Sequence, residues 1–312
     1  MMESAPRDLI DDSNYVLRVV ASETLDQEGN LVGETRSLEA VAYNPPADQI
    51  LGYGSTSIIS RIKPGVVVKS PQFSWWHCPT AASHHFVQDI KHSFNVEEQI
   101  LEILGENPRI IRFLGPSENP RGLMFVEANA GNLQTYIDQH NDEINTALRL
   151  QWCSQSAEAI GYIHQKGVIH SDLRPENYLL HRNADGIFNL LLSDFGGSRS
   201  SVINGTHLPD PGFFDPRKPW VATKATDIFS LGSVFYTIMT GHWPYRSPGP
   251  FTSGEELWTY GKKVDELFSL SKFPTVEGII GGPVIQGCWM DQYGEVETIL
   301  HDQNVIFKEV ST

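Results

Sequence analysis

The chain has 312 residues, room for one large or two small domains with a sizeable core, and its 40% hydrophobic and 20% charged content is that of an ordinary globular protein. A net charge of −15 argues against a nucleic-acid surface or an anionic membrane as main partner, and no window holds the roughly 18 consecutive apolar residues of a membrane span. Cys78, Cys153 and Cys288 are too few and too scattered for a disulfide framework, and the opening Met-Met-Glu-Ser-Ala-Pro-Arg-Asp lacks the basic and apolar regions of a signal peptide. The expectation is therefore a reducing, cytoplasmic setting.

In chain order, residues 1–14 read as a loose polar tail. Residues 15–20 and 37–43 have strand character, with Glu28-Gly29-Asn30 as a turn between them and Pro45-Pro46 ending the hairpin. Gly52-Tyr53-Gly54, followed by Ser57, Ile58 and Ile59, is a glycine turn leading into branched residues. Pro64-Gly65 then turns the chain into Val66-Val67-Val68-Lys69, an apolar strand that ends in a lone lysine. Residues 71–92 carry Trp75, Trp76, His77, Cys78, His84, His85 and His92. Their spacing matches no zinc pattern, so a packed loop is expected there. Residues 95–104 predict a helix with Ile100, Leu101 and Leu104 on one face, and 110–114 and 122–127 predict two more strands. Residues 146–166, with Leu150, Cys153, Ala157, Ile160 and Ile163 at helical spacing, predict a helix that Gly167 ends.

The stretch 167–196 carries the chemistry. Asp172 is followed five residues later by Asn177, with Val168, Ile169, Leu179 and Leu180 around them, which suggests a loop pinned to a core with polar side chains facing a cleft. Leu190-Leu191-Leu192 reads as a buried strand, and Asp194 follows it. One carboxylate to orient a hydroxyl, plus an amide and a second carboxylate as hard oxygen ligands, is what phosphoryl transfer to a hydroxyl requires. Beyond it, 194–217 is rich in Gly, Ser and Pro. Residues 226–239 predict a helix apolar on nearly all sides, with Asp227 near its start, closed by Gly241. Further helices are predicted near 254–270, 281–289 and 294–303.

His170-Ser171-Asp172-Leu173-Arg174-Pro175-Glu176-Asn177 and Asp194-Phe195-Gly196 resemble the catalytic loop and the Asp-Phe-Gly motif of eukaryotic protein kinases, a resemblance that extends over about residues 48–303. It implies an α+β, bilobal protein kinase-like fold. The small lobe would span 15–127, the large helical lobe 128–303 and a C-terminal tail 304–312. It implies ATP and Mg²⁺ as cofactors and a protein substrate, with Ser/Thr preferred because Pro175-Glu176 follows Arg174. Gly52, Gly54, Ser57, Ile59, Val67 and Leu179 would line the nucleotide, and Lys69, held by Glu97, would bind its phosphates. Glu97 is preferred over Glu98 because Leu101 and Leu104 then continue its stripe. Glu127 and Asn129 would belong to the hinge, Asn177 and Asp194 would hold the metal, Asp172 would orient the acceptor hydroxyl, and Arg174 would place a cation on the γ-phosphate.

The resemblance carries further expectations. His170 would pack against Phe195, and Asp227 would anchor the catalytic loop. Residues 213–217 replace the usual Ala-Pro-Glu motif, with Arg217 where the glutamate stands. The expectation is a reversed ion pair between Arg217 and Glu295 or Glu297. Ser171 replaces the arginine that often precedes the catalytic aspartate, so activity is expected not to depend on phosphates at Ser198, Ser200, Ser201 or Thr206. Two other readings share these motifs: a pseudokinase acting as an ATP-binding or scaffolding module, suggested by Ser57, Val67 and the altered 213–217 motif, and a small-molecule phosphotransferase of kinase-like fold.

Overall fold

The computed structural model describes residues 9–10, 15–25, 31–42, 49–72, 81–205, 207 and 209–311. They fall into two compact units, one formed by 1–91 with 114–125 and the other by 92–113 with 126–312. Among them no helix is long and apolar enough to cross a membrane.

The first unit is built on β-strands. β1 (Leu9–Ile10), β2 (Tyr15–Leu25) and β3 (Leu31–Ala42) form an antiparallel sheet in that order, so the expected hairpin is present and longer than its apolar cores suggested. Its turn at 28–30 and Pro45-Pro46 lie outside the described residues. β4 (Ile50–Tyr53), β5 (Ser57–Lys63), β6 (Val66–Pro71), β7 (Phe113–Glu118) and β8 (Arg121–Val126) make a five-stranded sheet in the order β4-β5-β6-β8-β7. Alternation sets the register: Val68 is fully buried, and Lys69 stands opposite Ile59 across the β5–β6 ladder. On the other side of β6, a Cβ on Gly122 would collide with the Lys69 carbonyl, so only glycine lets β8 lie this close to the lysine strand.

Two expectations in this region need correction. Trp75, Trp76, His77 and Cys78 lie outside the described residues, but residues from Ala81 onward are helical: α1 runs Ala81–Leu104, not from 95. Ile90, Glu97, Leu101 and Leu104 lie three, four or seven places apart and are buried on one stripe. His84 and His85 before them, and His92 among them, obscured that period in the sequence. The strand expected at 110–114 starts at Phe113, because Ile110 makes an isolated bridge to Leu192 and the Ile111 N–H donates to the Leu192 carbonyl at 2.9 Å.

The second unit is mainly helical: α2 (Leu133–His140), α3 (Thr146–Gln165), α4 (Lys224–Thr240), α5 (Gly254–Ser269), α6 (Gly282–Trp289) and α7 (Val296–Ser311), with an antiparallel hairpin of β9 (Tyr178–Arg182) and β10 (Phe188–Leu192). α4 is its centre. Every residue from Asp227 to Ile238 is buried. The helix starts at a capping box between Thr223 and Thr226 and stops at Gly241, whose φ of +83° suits the left-handed cap. α3 and α6 pack on α4, and a Cβ on Gly232 would come within 2.7 Å of the Cys288 Cβ. α7 continues to Ser311, beyond the predicted end at 303.

Candidate active site

The loop after α3 is fixed from three sides. Gly167, at φ +74°, ends the helix, with the Gly167 N–H on the His164 carbonyl at 3.1 Å and the Val168 N–H on the Ile163 carbonyl at 2.9 Å. From α4, Asp227 (1% exposed) accepts the His170 N–H at 2.8 Å, the Ser171 N–H at 3.0 Å and His164 Nε2 at 2.8 Å. From the strand side, the Ser193 N–H and hydroxyl both donate to the Asn177 carbonyl at 2.9 Å, so the residue before Asp194 is tied to the loop. His170 donates from Nε2 to the Ser193 carbonyl (3.0 Å), accepts the Asp172 N–H at Nδ1 (3.3 Å) and packs on Phe195 with ring centroids 5.0 Å apart. Both ring nitrogens are therefore committed. The histidine is a packing group beneath the loop, as expected.

What the loop presents is a small charged cluster. The Asn177 amide nitrogen donates to the Asp172 carbonyl at 2.7 Å and to its Oδ2 at 3.0 Å. Asp172 Oδ1 is buried with no hydrogen-bond partner among the described residues, although His207 Nδ1 stands 3.3 Å from it at ion-pair range. Arg174 Nε is 4.0 Å from Asp172 Oδ2, and the same guanidinium pairs with Asp210. Burial pushes the Asp172 carboxyl above the ordinary carboxylate range. His207 and Arg174 oppose that rise, and Asp194 adds to it. For Arg174 burial works against the charge, but Asp172, Asp210 and Glu176 outweigh it and hold the guanidinium protonated. Glu176 is pushed up to about 7 by burial, with Arg174 opposing. One cation thus sits among three carboxylates.

A family model described as "Protein kinase domain" matches residues 80–258, more than half of the chain. The chain belongs to this family. Its fold is accordingly the bilobal kinase fold, a β-rich lobe and a helical lobe. Curated kinases that it resembles include a calcium/calmodulin-dependent protein kinase type 1 of Caenorhabditis elegans, 38% identical over 97 residues, 29% of this chain and 27% of the relative. A probable serine/threonine-protein kinase, iksA, of Dictyostelium discoideum is 26% identical over 221 residues, 62% of this chain and 22% of the relative. The serine/threonine-protein kinase ksg1 of Schizosaccharomyces pombe is 26% identical over 201 residues, 56% of this chain and 32% of the relative. The matched segments therefore span only about a quarter to a third of those relatives' own length. Membership implies the use of ATP and a divalent metal ion.

The remaining kinase-motif residues divide between the units. In the first, Gly52 lies on β4 and Gly54 opens the β4–β5 turn, where the Gly54 N–H donates to the Ser57 carbonyl at 2.7 Å and a Cβ on Gly54 would lie 2.9 Å from Ser57 Oγ. Ile59 and Val67 lie on β5 and β6, Val67 buried. In the second unit Glu97 is buried, at 2% exposure, while Glu98 is half-buried. Glu127 follows β8. The Asn129 side chain is spent on structure: its Nδ2 donates to the Arg182 carbonyl at 3.0 Å and its Oδ1 accepts the Arg182 N–H at 2.8 Å. Leu179 lies half-buried on β9, bridged to Asn132.

The expected charge swap does not occur. Arg217 meets neither Glu295 nor Glu297. Its Nε and Nη2 donate to Asp215 at 2.7 and 3.0 Å, its Nη2 donates to the Trp289 carbonyl at 2.6 Å, and its plane lies 5.0 Å from the Phe273 ring centroid. Lys224 takes Glu295 at 2.7 Å and Gln165 takes Glu297 at 3.0 Å. A carboxylate two residues away on the same turn offers a two-pronged partner without fixing a second long side chain, and that local geometry wins. Of the hydroxyls in residues 194–217, the stretch that corresponds to the activation segment of kinases, Ser198 is fully buried and donates to the His170 carbonyl at 3.0 Å, Ser200 accepts the Ile203 N–H at 3.1 Å, and Thr206 lies outside the described residues. Reading motifs along the sequence missed His207 and Asp210, since nothing in their local spacing marks them.

Proposed function

We propose that this kinase transfers the γ-phosphoryl group of ATP to serine or threonine hydroxyls of a protein substrate. The observation that carries this reading is the Asp172–Asn177 pair on a loop clamped by Asp227, with Arg174 beside it. The resemblance to iksA and ksg1, both serine/threonine-protein kinases by description, favours serine/threonine specificity, as does Pro175-Glu176 after Arg174.

The donor set fits a hard divalent cation. The Asn177 amide donors are committed to Asp172, which leaves its oxygen as the atom able to ligate, and Asp194 supplies a carboxylate. Mg²⁺ is the ion these oxygens suit best in a nucleotide site, and Mg²⁺–ATP, when bound, supplies an activated phosphoryl group with its charge partly neutralised. Lys69 would hold the α- and β-phosphates, with Glu97 holding Lys69. Gly52, Gly54 and Ser57 would offer backbone amides to the phosphates, while Ile59, Val67 and Leu179 would meet the base beside the backbone of Glu127 and Asn129. Asp172, its Oδ2 fixed by Asn177, would receive the acceptor hydroxyl at Oδ1 and orient it for attack. Arg174 would keep a positive charge where the transferred group gains negative charge.

A radiolabel transfer assay against serine/threonine peptide libraries, run on wild type and Asp172→Asn, tests this. Loss of a positioned group of this kind costs about 3–4 kcal/mol, so Asp172→Asn should transfer roughly a hundred- to a thousandfold more slowly while still binding ATP. Equal rates in the two proteins, or no transfer by a wild type that binds ATP, would overturn the proposal.

A further inference from the structure

The activation segment folds back onto the groups that should receive substrate. Its first part is held by reciprocal hydrogen bonds between Ile169 and Arg199, both 2.8 Å, and by a bridge from Arg199 to Asn204. Its later part is held by buried Pro209 and by Asp210, which pairs with Arg174. Between these anchors stands His207, 43% exposed, with Nδ1 3.3 Å from Asp172 Oδ1. Two glycines make that placement possible. A Cβ on Gly197 would collide with the His207 side chain, and a Cβ on Gly205 would collide with the backbone of Gly197 and Ser198. The chain path that brings the imidazole here is thus built into the segment.

Oδ1 is the oxygen of Asp172 that the loop leaves without a hydrogen bond, and it is buried in this arrangement. It is also the oxygen that the proposed reaction needs for the acceptor hydroxyl. We infer that His207 is an intramolecular plug on the acceptor position, an imidazole that the substrate must displace before its hydroxyl can reach Asp172. The inference rests on the phosphoryl-transfer reading and adds its regulation. The imidazole is well suited to the place, since its Nδ1 stands at ion-pair range of the carboxylate, the ring is short enough to swing aside, and it is open to solvent on its outer side. Asp210 and Pro209 stay anchored while it moves, so opening needs one side chain and its local backbone and not release of the whole segment.

A competent state populated only part of the time raises the apparent KM by the inverse of its population, so a plug closed ~90% of the time raises it about tenfold. His207→Ala should therefore raise kcat/KM for a peptide acceptor roughly three- to tenfold through a lower peptide KM, with kcat and the KM for ATP unchanged. His207→Gln, which can still donate a hydrogen bond from a flexible side chain, should lie between the two, and it serves if the alanine variant fails to fold. A readout independent of turnover is the His207 ring resonance, assigned by its absence in His207→Gln. It should move when Asp172 is changed to Asn, and move again in wild type when acceptor peptide and a non-hydrolysable ATP analogue are added. A folded variant with unchanged or lower kcat/KM, or a ring signal indifferent to both changes, overturns the plug. Transfer by wild type with no change in His207→Ala removes the plug alone. Absence of transfer by both proteins removes the phosphoryl-transfer reading and the plug with it.

Discussion

Replacing Asp227 by alanine tests how the catalytic loop is held. The carboxylate accepts three hydrogen bonds, from the backbone of His170 and Ser171 and from the His164 ring, and all of these groups are buried. Alanine leaves two backbone N–H groups and a ring nitrogen without acceptors, at about 1–3 kcal/mol each, which sums to roughly 3–9 kcal/mol. That is a large part of the ~5–15 kcal/mol by which domains are stable. Asparagine keeps one oxygen but turns an NH₂ toward a donor, so it should cost about half as much. Urea unfolding followed by tryptophan fluorescence reads the effect, since Trp152 and Trp289 are buried in the same unit. With a slope of about 2–3 kcal/mol/M, the midpoint of Asp227→Ala should fall by roughly 1–4 M. A fall of less than about 0.2 M would mean that water satisfies the freed donors and that the clamp contributes little to stability.

Arg217→Ala leaves the buried carboxylate of Asp215 with the backbone N–H of residue 217 at 3.0 Å and Lys218 at 3.9 Å but without the guanidinium, and should cost about 2–4 kcal/mol. The double variant Asp215→Ala/Arg217→Ala should lose clearly less than the sum of the two singles in the same urea assay, and additive losses would contradict a direct coupling. Ser171→Gly should raise the unfolding midpoint. Ser171 has a φ of +72°, is 3% exposed and carries a buried hydroxyl with no hydrogen-bond partner among the described residues. Relief of about 1–2 kcal/mol of left-handed strain exceeds the ~0.5–1 kcal/mol of extra unfolded-state freedom that glycine brings. A lower midpoint for Ser171→Gly would show that the serine side chain has a stabilising contact through water.

The site was legible where its residues are close in sequence and their chemistry is local. Asp172 and Asn177 are five residues apart, and the structure joins them directly. Asp227 was legible because it is an acid at the start of a helix with no polar face to spare. The same logic failed for Arg217. Its partner was sought some 80 residues away by analogy, while Asp215 sat two residues back on the same turn. α1 was half read because His84, His85 and His92 interrupt a stripe that only burial reveals. α2 was missed although Asn132 caps it, accepting the Thr135 N–H at 2.8 Å, because its short apolar pattern of Leu133 and Ile137 is hard to tell from a turn. His207 was out of reach for a different reason. Its place on Asp172 depends on a chain path set by Gly197 and Gly205, and a tertiary path of that kind leaves no period to read.

The helix that supplies Asp227 is buried without a break from Asp227 to Ile238, and this decides how the helical unit fails on heating. A loop tied only to other loops would loosen by degrees, and catalysis would fade well before unfolding. Here the amides of His170 and Ser171 are bound to a residue buried within α4, and α4 in turn is gripped by α3 and α6. Opening the loop therefore demands breaking into the most cooperative part of the helical lobe, and those two amides belong to its slowest class of hydrogen exchange. The loop that carries Asp172 and Asn177 should stay in register up to the melting transition of this unit and be lost together with it.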